Sequence, residues 1–302
     1  MNFKTYLFNF ENKSYSEINN IDRFNTIDQL ILTLPVGVYT TLRTVHKNRI
    51  FELKHHLGRL IESINLSGLK FPYKIDEIRD PLSKLIEKFP AKEVRIRLFI
   101  SLEEVNKCYI ILENLVIPTD NDYKFGVKVN TNKLFRKNPK AKLSSFIKNS
   151  EKIRIFCKEN DLEESIILNT KNELLEGISS NFYAVINGEI YTADKEVLDG
   201  VTRRIILDEA QKANISINFL PLTYDQIGII TEAFISSTSR GVLPVISIDS
   251  HKINDGIPGK VTKLLMDKMI ERMLSKTEEI IQSSSSSHPS KSSISSSFSM
   301  ED

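Results

Sequence analysis

Apolar positions along the chain switch repeatedly between a period of two and a period of three to four. In VYTTLRTVH, residues 38–46, β-branched and apolar residues recur at every second position, which predicts a strand. The polar KNR that follows predicts a turn and a short return strand, after which Leu53, Leu57, Leu60 and Ile61 recur at helical spacing. A second helix is expected over 75–89, where Ile75, Ile78, Leu82 and Leu85 repeat every three or four residues. VRIRLFIS and KCYIILENL then read as neighbouring antiparallel strands.

The polar, proline-containing PTDND at 118–122 interrupts this pattern and is expected to be a linker. Beyond it, FGVKVN at 125–130 predicts a strand and 144–160 a helix. SIILNT, a turn at 171–173, and NFYAVINGEIYTA, turning at Asn187-Gly188, predict strands in quick succession. LDGVTR at 198–203 enters a helix whose apolar positions Ile205, Ile206, Ala210 and Ala213 hold the period. EAFISS at 232–237 and VLPVISI predict two more strands, and a final helix is expected from Pro258 to Ile281. The expected class is α+β in two domains: a small N-terminal α/β domain over 1–117 and a larger β-core domain with surrounding helices over 118–282. Residues 283–302 hold twelve serines and few large apolar side chains, so a disordered tail is expected there.

Charge and composition narrow the function. With 41 basic and 39 acidic residues, net +2, the chain carries no field that points to nucleic acid or an anionic membrane, and a small-molecule partner is expected. No apolar run approaches the ~20 residues of a membrane span, and the first residues lack a basic-then-apolar leader, so a cytoplasmic location is expected. Cys108 and Cys157 each lie within an apolar run and read as reduced, buried thiols. No metal site is expected, because ligands at metal-like spacing are absent and the adjacent His55 and His56 fall on different faces of a helix.

Taken singly, the candidate residues have ordinary readings beside chemical ones. Lys142, in NPKAKLSS at a helix entrance, is a surface charge or a reactive amine. Glu176, between Leu175 and a glycine, is a turn-binding carboxylate or a buried charge partner. Gly200-Val201-Thr202-Arg203 opens a helix whose free amides suit a phosphate, or is a plain helix start. Ser236-Ser237-Thr238-Ser239 closes a strand with hydroxyls that could serve the same anion, and Arg59 on the preceding domain's helix could be its cation. Arg95 and Arg97 alternate on one strand and so share a face, a poor place for two charges unless water or an anion meets them.

The order and spacing of these segments resemble the class IV, or fold-type IV, pyridoxal-phosphate enzymes, which include branched-chain and D-amino-acid aminotransferases and aminodeoxychorismate lyase. The segments are ELKHHLGRLIES, VRIRLFIS, Lys142, LLEGISSNFYAV, IYTADKEVLDGVTRRIIL and EAFISSTSRGVLPVISID, between about Val36 and Met273. The resemblance implies the cofactor pyridoxal 5'-phosphate and a transaminase acting on a small amino acid and a 2-oxo acid. It implies that Lys142 forms the Schiff base, with Lys140 and Lys148 as neighbouring alternatives, and that Glu176 faces the pyridine nitrogen. Arg59, Val201, Thr202, Ser237 and Thr238 match the phosphate clamp, and Arg97 with Arg95 would meet a substrate carboxylate. Ile147 stands where branched-chain enzymes carry a tyrosine, and the opening thirty residues show no pattern for the family's short leading strands. A homodimer is implied as well. A pyruvate-releasing lyase and a catalytically silent binding protein are the alternatives.

Overall fold

A computed structural model describes residues 3–19, 21–47 and 49–280, so the serine-rich segment expected to be disordered lies outside the described residues. Strands β1 (Phe3–Asn9) and β2 (Ser14–Glu17) form a hairpin, helix α1 (Ile27–Leu32) follows, and β3 (Gly37–Val45) and β4 (Arg49–Phe51) lead into α2 (Leu53–Leu66). Helix α3 (Arg79–Lys88) and strands β5 (Val94–Ser101) and β6 (Lys107–Asn114) complete the first half. Then come α4 (Asp120–Phe125), β7 (Val127–Lys133), α5 (Ser145–Glu159), β8 (Glu164–Leu168), β9 (Leu174–Gly177), β10 (Asn181–Ile186) and β11 (Glu189–Tyr191). Helix α6 (Val201–Lys212) is followed by β12 (Ile217–Asn218), β13 (Glu232–Ser237), β14 (Gly241–Ile248), β15 (His251–Lys252), α7 (Lys260–Ser275) and β16 (Thr277–Glu279).

Two sheets organise these elements, as the expected α+β class requires. The first runs β16-β4-β3-β5-β6-β1-β2. Helix α2 lies on one of its faces and buries Leu53, Leu57, Leu60 and Ile64, none more than 1% exposed, against Leu42, Ile96 and Ile110. Truncating one of them, Leu60→Ala, is expected to cost about 2–5 kcal/mol. The opposite face carries Tyr39, Phe99 and Ile111 and packs on Ile27, Leu30 and Ile31 of α1.

The second sheet curls into a barrel. Strands β10, β13, β14, β7, β8 and β9 pair in that order, and β9 returns to β10 with Glu176 opposite Asn181. Along β10, Phe182 and Ala184 enter one core cluster while Tyr183 and Val185 enter another, beneath α6 and α7. Barrel closure therefore brings Glu176 and Asn181 together at one end.

Several elements differ from the sequence reading. The leading strands exist: β1 pairs along its whole length with β6. Its apolar residues serve both faces of the first sheet, Phe3 on one and Tyr6 and Phe8 on the other, which erases a clean period of two. Residues 118–122 are not a plain linker, because Thr119 caps α4 in a reciprocal capping box with Asp122. Phe125 ends that helix, and the strand expected from 125 starts at Val127. Between them Gly126 has φ 80°, and a Cβ there would lie 2.5 Å from Ile246 Cγ2, so glycine is required. The last helix stops at Ser275, and β16 returns to pair with β4 in the first sheet. The helical apolar spacing does not register this strand, since its place is set by a partner more than two hundred residues earlier.

Candidate active site

A cavity of about 900 Å³ opens between the two sheets. Its wall includes Arg59, Arg95, Arg97, Lys142, Glu176, Val201, Thr202, Ser237 and Thr238, so these candidates from the sequence meet in one place. Lys140 and Lys148 do not line it. Lys140 instead donates to Asp194 O at 2.9 Å and to Asp199 Oδ1 at 2.8 Å, and Lys148 is exposed.

The Lys142 backbone is fastened on both sides. Its N–H donates to Ser63 Oγ on α2 at 3.1 Å, its carbonyl accepts from Tyr39 N at 3.0 Å, and Leu143 bridges to Val38. The side chain thus projects from a short crossing segment held against β3 and α2. Its Nζ sits 4.9 Å from the centroid of the Tyr39 ring and forms no ion pair among the described residues. Burial pushes the amine well below ordinary lysine basicity, and the charges of Arg59, Arg136 and Arg97 push the same way, against a weaker pull from Glu176.

Glu176 is 2% exposed and fully engaged. Oε1 accepts from Arg136 Nη1 at 2.6 Å, and Oε2 accepts from Leu198 N at 2.9 Å and Asn181 Nδ2 at 3.3 Å. Arg136 in turn lies over the Phe146 ring. The sequence analysis missed Arg136 and Asn181. Asn181 stood in plain view in GISSNFY, but its partner is set by barrel closure.

At the N-terminus of α6 the first residue to donate within the helix is Arg204, whose N–H reaches Gly200 O at 3.1 Å. The amides of Val201 and Thr202 are left without an intrahelical acceptor. A Cβ at Gly200 would lie 2.3 Å from Asn181 Oδ1, so glycine lets this helix start beside the Glu176 cluster. Thr202 Oγ1 and Arg59 Nε are both buried without a hydrogen-bond partner among the described residues. Burial lowers the Arg59 guanidinium to about 10, still protonated at neutral pH. Ser237 and Thr238 follow at the end of β13, where Ser237 Oγ accepts from Arg240 N at 3.4 Å. Such a wall offers a guanidinium, hydroxyls and free amides, the donors an anion requires.

On the other side, Arg95 and Arg97 share a face of β5, and protein carboxylates answer the unfavourable pairing. Arg97 donates to Asp28 at the start of α1 and stacks over the Tyr39 ring; Arg95 meets Glu113 at 3.2 Å. Asp28, absent from the sequence candidates, would be raised by burial, but Arg97, Arg154 and Arg95 outweigh that and lower it to about 2. Ile147 is buried in the apolar cluster beneath Tyr39.

Comparison with known proteins agrees with this geometry. The family model for amino-transferase class IV matches residues 37–248. Similar proteins include the D-alanine aminotransferase of Staphylococcus aureus (strain N315), 28% identical over 255 residues, 76% of this chain and 86% of that one. The branched-chain-amino-acid aminotransferase of Pseudomonas aeruginosa is 25% identical over 263 residues, 80% of this chain and 86% of the relative. Among solved structures, a branched-chain amino acid aminotransferase from Escherichia coli has a TM-score of 0.73 at 19% identity, covering 93% of this chain and 100% of that one. The two-sheet architecture is therefore that of the fold-type IV enzymes. The chain belongs to the class IV aminotransferases and is a transaminase.

Proposed function

We propose that the cavity binds pyridoxal 5'-phosphate and that the enzyme transfers an amino group between a small amino acid and a 2-oxo acid, with Lys142 as the residue that reacts with the cofactor. The observation that carries this reading is a lysine of depressed basicity, the one lysine in the cavity wall among the described residues, sharing that cavity with an anion-binding helix start and a buried carboxylate. The donor set fits the group: Arg59 Nε, Thr202 Oγ1 and the free α6 amides lack partners that a phosphate would supply.

When bound, the cofactor supplies an aldehyde that takes up amines and a ring that accepts the electron pair of a substrate carbanion. Burial and the neighbouring arginines favour the uncharged form of the Lys142 amine, the form that would react with the aldehyde and, once free of it, would take the proton from the substrate Cα. Glu176, anchored by Arg136, Asn181 and the Leu198 amide, sets a negative charge against the ring nitrogen. Arg59, Val201, Thr202, Ser237 and Thr238 hold the phosphate. Arg97 and Arg95 bind a substrate carboxylate, with Asp28 and Glu113 keeping them in place. The aminotransferase relatives support transfer over the pyruvate-releasing and silent alternatives. Family membership supports a homodimer, and two buried free thiols support a reducing, cytoplasmic setting.

The test is an absorbance spectrum of the purified protein with added pyridoxal 5'-phosphate, before and after borohydride, followed by peptide mapping. A reducible band with the label on Lys142, and loss of nearly all turnover in Lys142→Ala, are expected. A label on Lys140 or Lys148 would overturn the lysine assignment, and no reducible band in folded protein would overturn the cofactor.

A further inference from the structure

Helix α2 carries a buried titratable group that the reading above leaves unused. His56 has no solvent exposure and lies one turn before Arg59. Its Nδ1 stands 3.0 Å from Thr40 Oγ1 on β3 and 3.3 Å from Arg59 Nη2. Its Nε2 stands 3.5 Å from Thr238 Oγ1, just past the end of β13. Arg59 Nη2 also donates to Thr40 Oγ1 at 2.9 Å. One imidazole thus joins both sheets and the helix beside the anion-binding wall.

The neighbours determine where its proton sits. A guanidinium only donates, so Nδ1 facing Nη2 is an acceptor, and the ring proton is on Nε2. Thr40 Oγ1, which accepts from Arg59, turns its own proton to Nδ1. An imidazolium would set two donors face to face beside a buried cation. Burial and the nearby charges of Arg59 and Arg204 oppose that form. Nε2–H then donates to Thr238 Oγ1. That hydroxyl accepts on its buried side, and its proton is left for the cavity that Thr238 lines.

We propose that His56 is a positioning residue: as the neutral Nε2–H tautomer it steadies Arg59 and Thr40 and commits the Thr238 hydroxyl as a donor to a phosphate group in the cavity. The inference rests on the reading that the cavity holds the phosphate of pyridoxal 5'-phosphate. A freely rotating hydroxyl could present a lone pair to that dianion. Once committed as a donor, it makes a charge-assisted hydrogen bond.

Two measurements test it. In cofactor-free protein with ¹⁵N-labelled histidine, His56, assigned by its loss in His56→Gln, is expected as the neutral tautomer with the proton on Nε2; a proton on Nδ1, or an imidazolium at neutral pH, would overturn the proposal. Dissociation constants for pyridoxal 5'-phosphate and for pyridoxal, which lacks the phosphate, are then compared by absorbance titration. His56→Leu and Thr238→Val are each expected to weaken the phosphorylated ligand about tenfold, and the double variant by less than the two together, because both act on the Thr238 hydrogen bond to the phosphate. Pyridoxal should bind all of them alike. His56→Gln, whose amide N–H can replace Nε2–H, and Thr238→Ser should stay near the wild-type constant. The ratio of the two constants guards against general loss of fold, which weakens both ligands together. Additive losses in the double variant, or equal weakening of both ligands, would overturn the positioning role. A wild-type protein that binds no pyridoxal 5'-phosphate would instead remove the cofactor reading, and this inference with it.

Discussion

Arg136 Nη1 donates to Glu176 Oε1 at 2.6 Å, with 10% of the Arg136 side chain and 2% of the Glu176 side chain exposed. The carboxylate in the cavity wall is therefore matched by a cation six residues before Lys142, and Lys142 forms no ion pair among the described residues. A direct Lys142–Glu176 pair would hold the amine protonated. The Arg136 pair satisfies the carboxylate, and the Arg136 charge adds to burial in lowering the basicity of the amine.

Removing that cation should expose the dependence. Arg136→Met is expected to destabilise the fold by about 3–5 kcal/mol in urea unfolding, because it leaves a buried carboxylate without its ion-pair partner. It should also raise the basicity of Lys142, from which one neighbouring charge is lost. Unchanged stability would show that Asn181 and the Leu198 amide suffice for Glu176.

The depressed Lys142 amine links stability to pH. Between its folded value and the ordinary 10.5 the unfolded chain binds the extra proton, so stability from this group rises as pH increases through that window. Below the folded value the group contributes a constant penalty. Lys142→Met should be more stable than wild type near neutral pH, with the difference shrinking towards pH 10.5. A difference independent of pH, read from urea unfolding across that range, would contradict the depressed amine.

Asp28 has the opposite profile at the acid end. Its folded value of about 2 lies below the unfolded 3.8, so its contribution is complete above 3.8 and is lost as pH falls through about 2. The shift corresponds to about 2 kcal/mol. Asp28→Asn should therefore cost about that much at neutral pH, and next to nothing at pH 2, in parallel unfolding curves. An equal cost at both pH values would assign the loss to packing of α1 rather than to charge.

Glu52 ties the two halves together. It is 4% exposed with φ 52°, at the start of α2, and its carboxylate meets His55, Arg204 on α6 and Arg272 on α7, the last two at 3.3 Å. Glu52→Ala is expected to cost about 1 kcal/mol, because the two arginines that lose the shared anion are partly exposed, Arg204 at 51%, and water takes its place. Differential protection in amide exchange should fall first at the starts of α2 and α6. An exchange pattern like wild type would count against the clamp.

The sequence was most informative where one residue's periodicity or chemistry is enough. Helix α2 was visible because Leu53, Leu57 and Leu60 mark one buried face, and the β10–β11 hairpin because Asn187-Gly188 supplies its turn. His56 and Arg59 lie three apart on that helix, but the sequence reading set His56 beside His55 as a metal question and Arg59 apart as a cation for a phosphate, so their contact came only with the structure. Strand β1 was lost because its two faces pack into different clusters, and β16 because its pairing partner is β4.

By itself the sequence determined the residue types and their order: a lysine, a carboxylate 34 residues later, a glycine before a helix and hydroxyls after a strand. Those are local properties, carried by side-chain chemistry and spacing. Only the tertiary structure decided which charges meet. Glu176 takes Arg136 rather than Lys142, Arg97 takes Asp28, and His56 faces Thr238 across 182 residues. Such partners are set by barrel closure and by packing of one sheet against the other. The basicity of a buried amine or imidazole follows from the sum of those distant neighbours, which no local pattern records.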